Sequence, residues 1–110
     1  MINQLKINDF AKEIMSWRKG HGFYTPNELL SVEGKDYMLG KLMLVVTEVA
    51  EAAEAVRHGD ASNFREELAD TFIRLMDITA AMNINIEDEI IKKMAVNEKR
   101  PIKHGKLTTL

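Results

Sequence analysis

TEVAEAAEAVRHGDASNFREELAD, residues 47–70, decides how this chain is read. Its first half carries Val49, Ala52, Ala53 and Val56 at helical spacing, its second half Phe64 and Leu68, and Gly59 separates them. A glycine closing an apolar-periodic run is a helix C-terminal signal, and a short connection makes the flanking helices antiparallel neighbours. Yet the first helix also carries Glu48, Glu51 and Glu54, and the second carries Glu67 and Asp70. Glu51 lies eight residues before Gly59 and Glu67 eight after it, so antiparallel pairing brings Glu48 and Glu51 level with Glu67 and Asp70. Either pair alone is explained by a solvated helix face, and Asp70 has a local partner in Arg74 one turn on. Four like charges converging on one helix seam are costly unless something neutralises them. A hard divalent cation does so, and an oxygen-only donor set favours magnesium, with manganese as the alternative.

Helical signals continue in both directions. Asn8 or Asp9 can cap a first helix carrying Phe10, Ile14 and Trp17, which stops near Gly20 and Gly22. Thr25, Pro26 and Glu28 form a capping box for a short helix through Leu29 and Leu30, ending near Gly34. A long helix follows from about Asp36 to His58, then one from a capping box at Asn63 and Glu66 to about Met82. A last helix spans roughly Ile86 to Lys99, stopped before Pro101, and residues 101–110 form a basic tail. No segment alternates with period two. The expected fold is all-α: one domain over 1–110, with an N-terminal helix and loop with a short helix (1–35) and the core helices at 36–100. About four main helices form an antiparallel bundle.

The rest of the composition narrows the function. Net charge is −2, which gives no global attraction to nucleic acid or to an anionic membrane. The chain has no cysteine, which excludes disulfides and zinc–thiolate sites. No signal peptide and no run of transmembrane length is evident, so a cytoplasmic location is expected.

At about 100° per residue the long helix has a core stripe of Leu42, Val45, Val46, Val49, Ala53 and Val56, and the next helix one of Phe64, Leu68, Phe72, Leu75 and Met82. The long helix also carries Leu44 and Ala55 in another sector, with Met38, Leu39 and Met43 nearby. A single chain of this size can bury one stripe per helix, so the second apolar face calls for an oligomer, most simply a two-fold homodimer.

On the last helix Ile86, Ile90, Lys93, Asn97 and Arg100 share a face. Lys93 can be a snorkelling lysine at a helix end; beside a divalent-cation cluster, this face reads instead as a phosphate clamp extended by Lys103 and Lys106. Trp17, His21 and Phe23 could stack on a nucleobase, although Trp17 also continues the spacing of Phe10 and Ile14 into a core.

EVAE at 48–51, ELAD at 67–70 and KMAVNEKRP at 93–101 together resemble the MazG-like nucleoside triphosphate pyrophosphohydrolases, over roughly residues 39 to 106. The resemblance implies an all-α enzyme that hydrolyses nucleoside triphosphates to the monophosphate and pyrophosphate with magnesium, in nucleotide-pool house-cleaning. It implies Glu48, Glu51, Glu67 and Asp70 as metal ligands. One of the first two, Glu48 foremost, would orient or deprotonate the water, and Lys93, Asn97 and Arg100 would hold the phosphates. It also implies dimers, or tetramers as dimers of dimers. Many relatives carry a further acid just before the first motif glutamate, where this chain has Thr47; the number of metal ions and the general base stay open. Alternatives are a phosphoribosyl-ATP or dUTP/dCTP pyrophosphohydrolase relative, and a helical nucleotide-binding or oligomerisation module without catalysis.

Overall fold

Two helix starts tie the chain's beginning to its end. The Glu87 carboxylate accepts the backbone N–H groups of Ile7 and Asn8, both at 2.6 Å, and Asn8 Oδ1 accepts that of Ile86 at 3.0 Å. Each helix thus satisfies orphan donors of the other. The computed structural model describes residues 6–20 and 32–100. Its elements are α1 (Asn8–Gly20), α2 (Val32–Arg57), α3 (Ala61–Ala81) and α4 (Ile86–Glu98), with no strand among the described residues.

Most helix ends fall where the sequence puts them, for the expected reasons. Gly59 adopts φ 67°, the left-handed conformation that a β-carbon penalises, and so lets α2 turn sharply into α3. Asn85 caps α4 by accepting from Asp88 N. Two expectations are corrected. The cap of α3 is Asp60, whose side chain accepts from Asn63 N, so the helix starts before the Asn63 box and Asn63 lies inside its first turn. Nor does a helix break near Gly34: α2 already runs from Val32, with Gly34 buried inside it. A helix interior tolerates a glycine at about 1 kcal/mol relative to alanine. The capping box at Thr25 and Glu28 lies outside the described residues.

α3 packs against both α2 and α1. The seam is not where the apolar stripes place it. Against α3 the buried side chains of α2 are Glu48, Ala52 and Ala55, and on α3 Asp77 and Ile78 are buried. The expected core stripes face outward: Leu42, Val46, Val49, Ala53 and Val56 on α2, and Leu68, Phe72 and Leu75 on α3, are exposed, with Val56 at 61% and Phe72 at 62%. On α1 Phe10 and Trp17 are likewise exposed, and Ala11 and Arg18 are the buried pair. Close approach explains the inversion. Ala52 and Ala55 let α3 come near α2, which draws Glu48, one turn along the same face, into the seam.

Candidate active site

The seam brings three acids together. Glu48 on α2 and Glu67 and Asp70 on α3 each offer a carboxylate oxygen, and these oxygens lie within 4.8 Å of one another. Glu48 is 8% exposed. Arg74, seven residues or two turns along α3 from Glu67, donates from Nε to Glu48 Oε2 at 2.7 Å. The guanidinium therefore crosses to α2 instead of pairing locally with Asp70. It holds Glu48 below the ordinary carboxylate range, against the opposing effect of burial.

Glu67 is pushed the other way. Burial, the adjoining Glu48 carboxyl and the charges of Glu51, Glu48 and Asp70 raise it to about 7. Its Oε1 is buried without a hydrogen-bond partner. An orphaned carboxylate oxygen in a converging, oxygen-only donor set is the chemistry a hard divalent cation completes, so the residues fit such an ion. Glu51 is exposed and outside the three-residue cluster, although its charge reaches Glu67.

With Glu67 raised, cation binding at this cluster would be pH-dependent. Holding the ion requires the carboxylate, so affinity for magnesium or manganese should rise about tenfold per pH unit below pH 7 and level off above it, with proton release on binding. Calorimetry in buffers of different ionisation enthalpy reads both; affinity that is flat from about pH 6 to about pH 8 would contradict it. For the ion-free fold the sign reverses. A carboxyl raised from 4.5 to about 7 stabilises fully below its unfolded value, and this is lost as pH rises through 7. The lowered Glu48 acts oppositely, its stabilisation being lost as pH falls.

The remaining expected residues are placed less closely. Lys93 and Asn97 are exposed on α4 and Arg100 follows it. Among the described residues, none of the three forms a hydrogen bond or ion pair with the acids. Trp17, 60% exposed, lines a cleft that also reaches Glu48 and Asp70. His21 and Phe23 lie outside the described residues.

Sequence reasoning passed over the cations. Arg18 Nε donates to Asp77 Oδ1 at 2.7 Å and Lys41 Nζ to Asp77 Oδ2 at 2.8 Å, all largely buried. The signal was present in the spacing. Glu67, Asp70, Arg74 and Asp77 recur at three and four residues along α3, as do Lys41, Leu44, Glu48 and Glu51 along α2. The first is a polar stripe continuous with the acid motif, and the second sets Lys41 two turns before Glu48 with Leu44 between them.

A family model described as the MazG nucleotide pyrophosphohydrolase domain matches residues 40–101, more than half of the chain. No curated protein and no solved structure matches the chain significantly. No helix among the described residues is long and apolar enough to cross a membrane.

Proposed function

The chain belongs to the MazG nucleotide pyrophosphohydrolase family, and on that footing we propose that it hydrolyses nucleoside triphosphates to the monophosphate and pyrophosphate with a divalent cation, magnesium foremost. The observation that carries this reading is the convergence of Glu48, Glu67 and Asp70 on one point, with Glu67 Oε1 buried and partnerless. A cation bound there supplies charge neutralisation for the polyphosphate and activation of water. The reaction is an in-line displacement. A water oxygen bonds to the α-phosphorus, the bond to the α–β bridging oxygen breaks, and pyrophosphate leaves with that electron pair.

Glu48, Glu67 and Asp70 act as the ligands. Arg74 lowers the proton affinity of Glu48, which suits a ligand better than a base. The water's proton is therefore assigned to Glu51, on the same helix one turn away and open to solvent. Arg74 also sets a guanidinium at the edge of the cluster, where it offsets phosphate charge. Lys93, Asn97 and Arg100, which share a face of the last helix, are assigned as the phosphate clamp. A homodimer, or a tetramer built from two of them, supports this arrangement by covering the outward apolar stripes. Rigid helices suit a reaction that needs positioning and charge stabilisation above all.

The test is product analysis over a panel of ribo- and deoxyribonucleoside triphosphates, with magnesium and with chelator. Equal yields of monophosphate and pyrophosphate, abolished by chelator, are expected. Release of inorganic phosphate, or no cleavage of any nucleotide, would refute the proposal. For the clamp, Lys93→Ala and Asn97→Ala should each raise KM about tenfold, the usual weight of a charge-assisted contact. Melting should change little, because exposed substitutions typically stay within about 0.5 kcal/mol. A lowered melting transition with unchanged KM would make these residues structural.

A further inference from the structure

The acids lie between two hollows of unlike chemistry. One, of about 330 Å³, is lined by Glu51, Glu54, Asp60 and Glu67 among others, with no aromatic wall beyond His58. The other, of about 890 Å³, runs from Glu48 and Asp70 past Leu44 and Ile73 to Trp17 and Tyr37. Apolar and aromatic walls with a few placed polar groups are what a nucleobase needs, so the larger cleft is its place.

That cleft has a charged group the hydrolytic chemistry does not use. Both oxygens of Asp77 already accept charge-assisted bonds, one from Arg18 and one from Lys41. An ammonium has three donors, of which the Lys41–Asp77 bond uses one, and Lys41 lines the cleft. Lys41 also lies over the Tyr37 ring, 5.6 Å from its centre. Lys41 therefore offers the cleft two further donors.

Its position matches the far end of a nucleoside. Lys41 precedes Glu48 by seven residues on α2, and Asp77 follows Asp70 by seven on α3. Lys41 and Asp77 thus sit about two helical turns, roughly 10 Å, from the acids. Resting on the proposal that the acids hold the cation and its triphosphate, the nucleoside extends along the cleft and its base ends at Lys41.

We propose that Lys41, oriented by Asp77, is a specificity-determining residue that selects a 6-oxopurine nucleotide, guanine or hypoxanthine. The outer edge of these bases presents two adjacent acceptors, O6 and N7, the pair that lysine and arginine recognise best. Adenine replaces O6 by an amino donor, which would face donors and like polarity. Pyrimidines present a shorter edge to the same end of the cleft.

Equilibrium binding of GMP, IMP and AMP in magnesium tests this without turnover, read by calorimetry or by fluorescence of Trp17, the chain's one tryptophan. GMP and IMP should bind about tenfold or more tighter than AMP, the discrimination expected when a donor site meets the wrong exocyclic group. Lys41→Met should collapse the ratio to near one by weakening GMP and IMP. Arg18 and Asp77 remain as a neutral pair, and a thermal melt checks the fold. Should that variant melt, Lys41→Gln keeps a donor to Asp77 without the charge and serves the same comparison. Lys41→Arg should retain the preference. Equal or tighter AMP binding, tighter binding of UMP or CMP, no binding of any of these nucleotides, or a uniform loss in Lys41→Met shared by inorganic pyrophosphate would each overturn the inference. A chain that prefers GMP yet releases no pyrophosphate from any triphosphate upholds it and defeats the hydrolytic reading. A chain that hydrolyses yet binds the three monophosphates alike does the reverse.

Discussion

Asp70→Asn and Glu51→Gln should each lower kcat/KM by more than about 100-fold, because even outer partners of metal ligands typically cost 10–100-fold in affinity or activity. The two variants should fail differently. Asp70 belongs to the three-carboxylate cluster, so Asp70→Asn should weaken cation binding and lose turnover with it. Glu51 stands outside the cluster, so Glu51→Gln should bind the cation with little change and lose turnover alone. Both side chains are exposed and each removes one of several like charges, so neither variant should melt earlier in the absence of the ion. Calorimetric titration of manganese beside steady-state kinetics separates the roles. Retained turnover in both variants at saturating cation would remove these residues from the site, and lost cation binding in Glu51→Gln would make it a ligand instead of the base.

What the sequence could and could not disclose follows from what periodicity measures. The end of α2 was legible because Gly59, a glycine closing an apolar-periodic run, acts locally. The acid spacing was legible because Glu48, Glu51, Glu67 and Asp70 need only the helical repeat and the turn to be related. Facing direction was not. A 3.6-residue repeat shows which side chains share a face, and the most apolar face was assigned to the core. Here Ala52 and Ala55, the small residues, turn inward with Glu48, and the larger Val46, Val49 and Val56 turn out. Arg74 was read with Asp70 because both are on α3, whereas its bond crosses the seam to α2. Asp77 with Arg18 and Lys41 was missed for the same reason, being a pairing of three helices with no local signature.

The outward stripes should make the chain a dimer in solution, and one charge placed on them should undo it. Taking Glu48 and Glu67 as the facing directions of α2 and α3, steps of about 100° turn both apolar stripes to the same side of the hairpin. Asp70 and Asp77 turn to the other side, where α1 packs on α3. The exposed side thus joins Leu42, Val46 and Val49 of one helix to Leu68, Phe72 and Leu75 of the next. Helices of 26 and 21 residues are about 39 and 32 Å long and each about 10 Å wide, so this side covers roughly 700 Å². That is about what each partner contributes to a standard stable interface, and more than monomers usually leave open. A second copy supplies the same face through a two-fold axis, and the acids, on the opposite side, stay accessible to nucleotide. Light scattering behind size exclusion at low micromolar concentration should therefore give about 25 kDa or a multiple of it, against 12.5 kDa for one chain. Val49→Glu should shift the mass to that of the single chain, since it introduces an unpaired charge at the centre of the contact while disturbing no neighbour within the chain, where Val49 is already exposed. A wild-type species of 12.5 kDa that still turns over nucleotide would defeat the argument, because the apolar side would then need no partner.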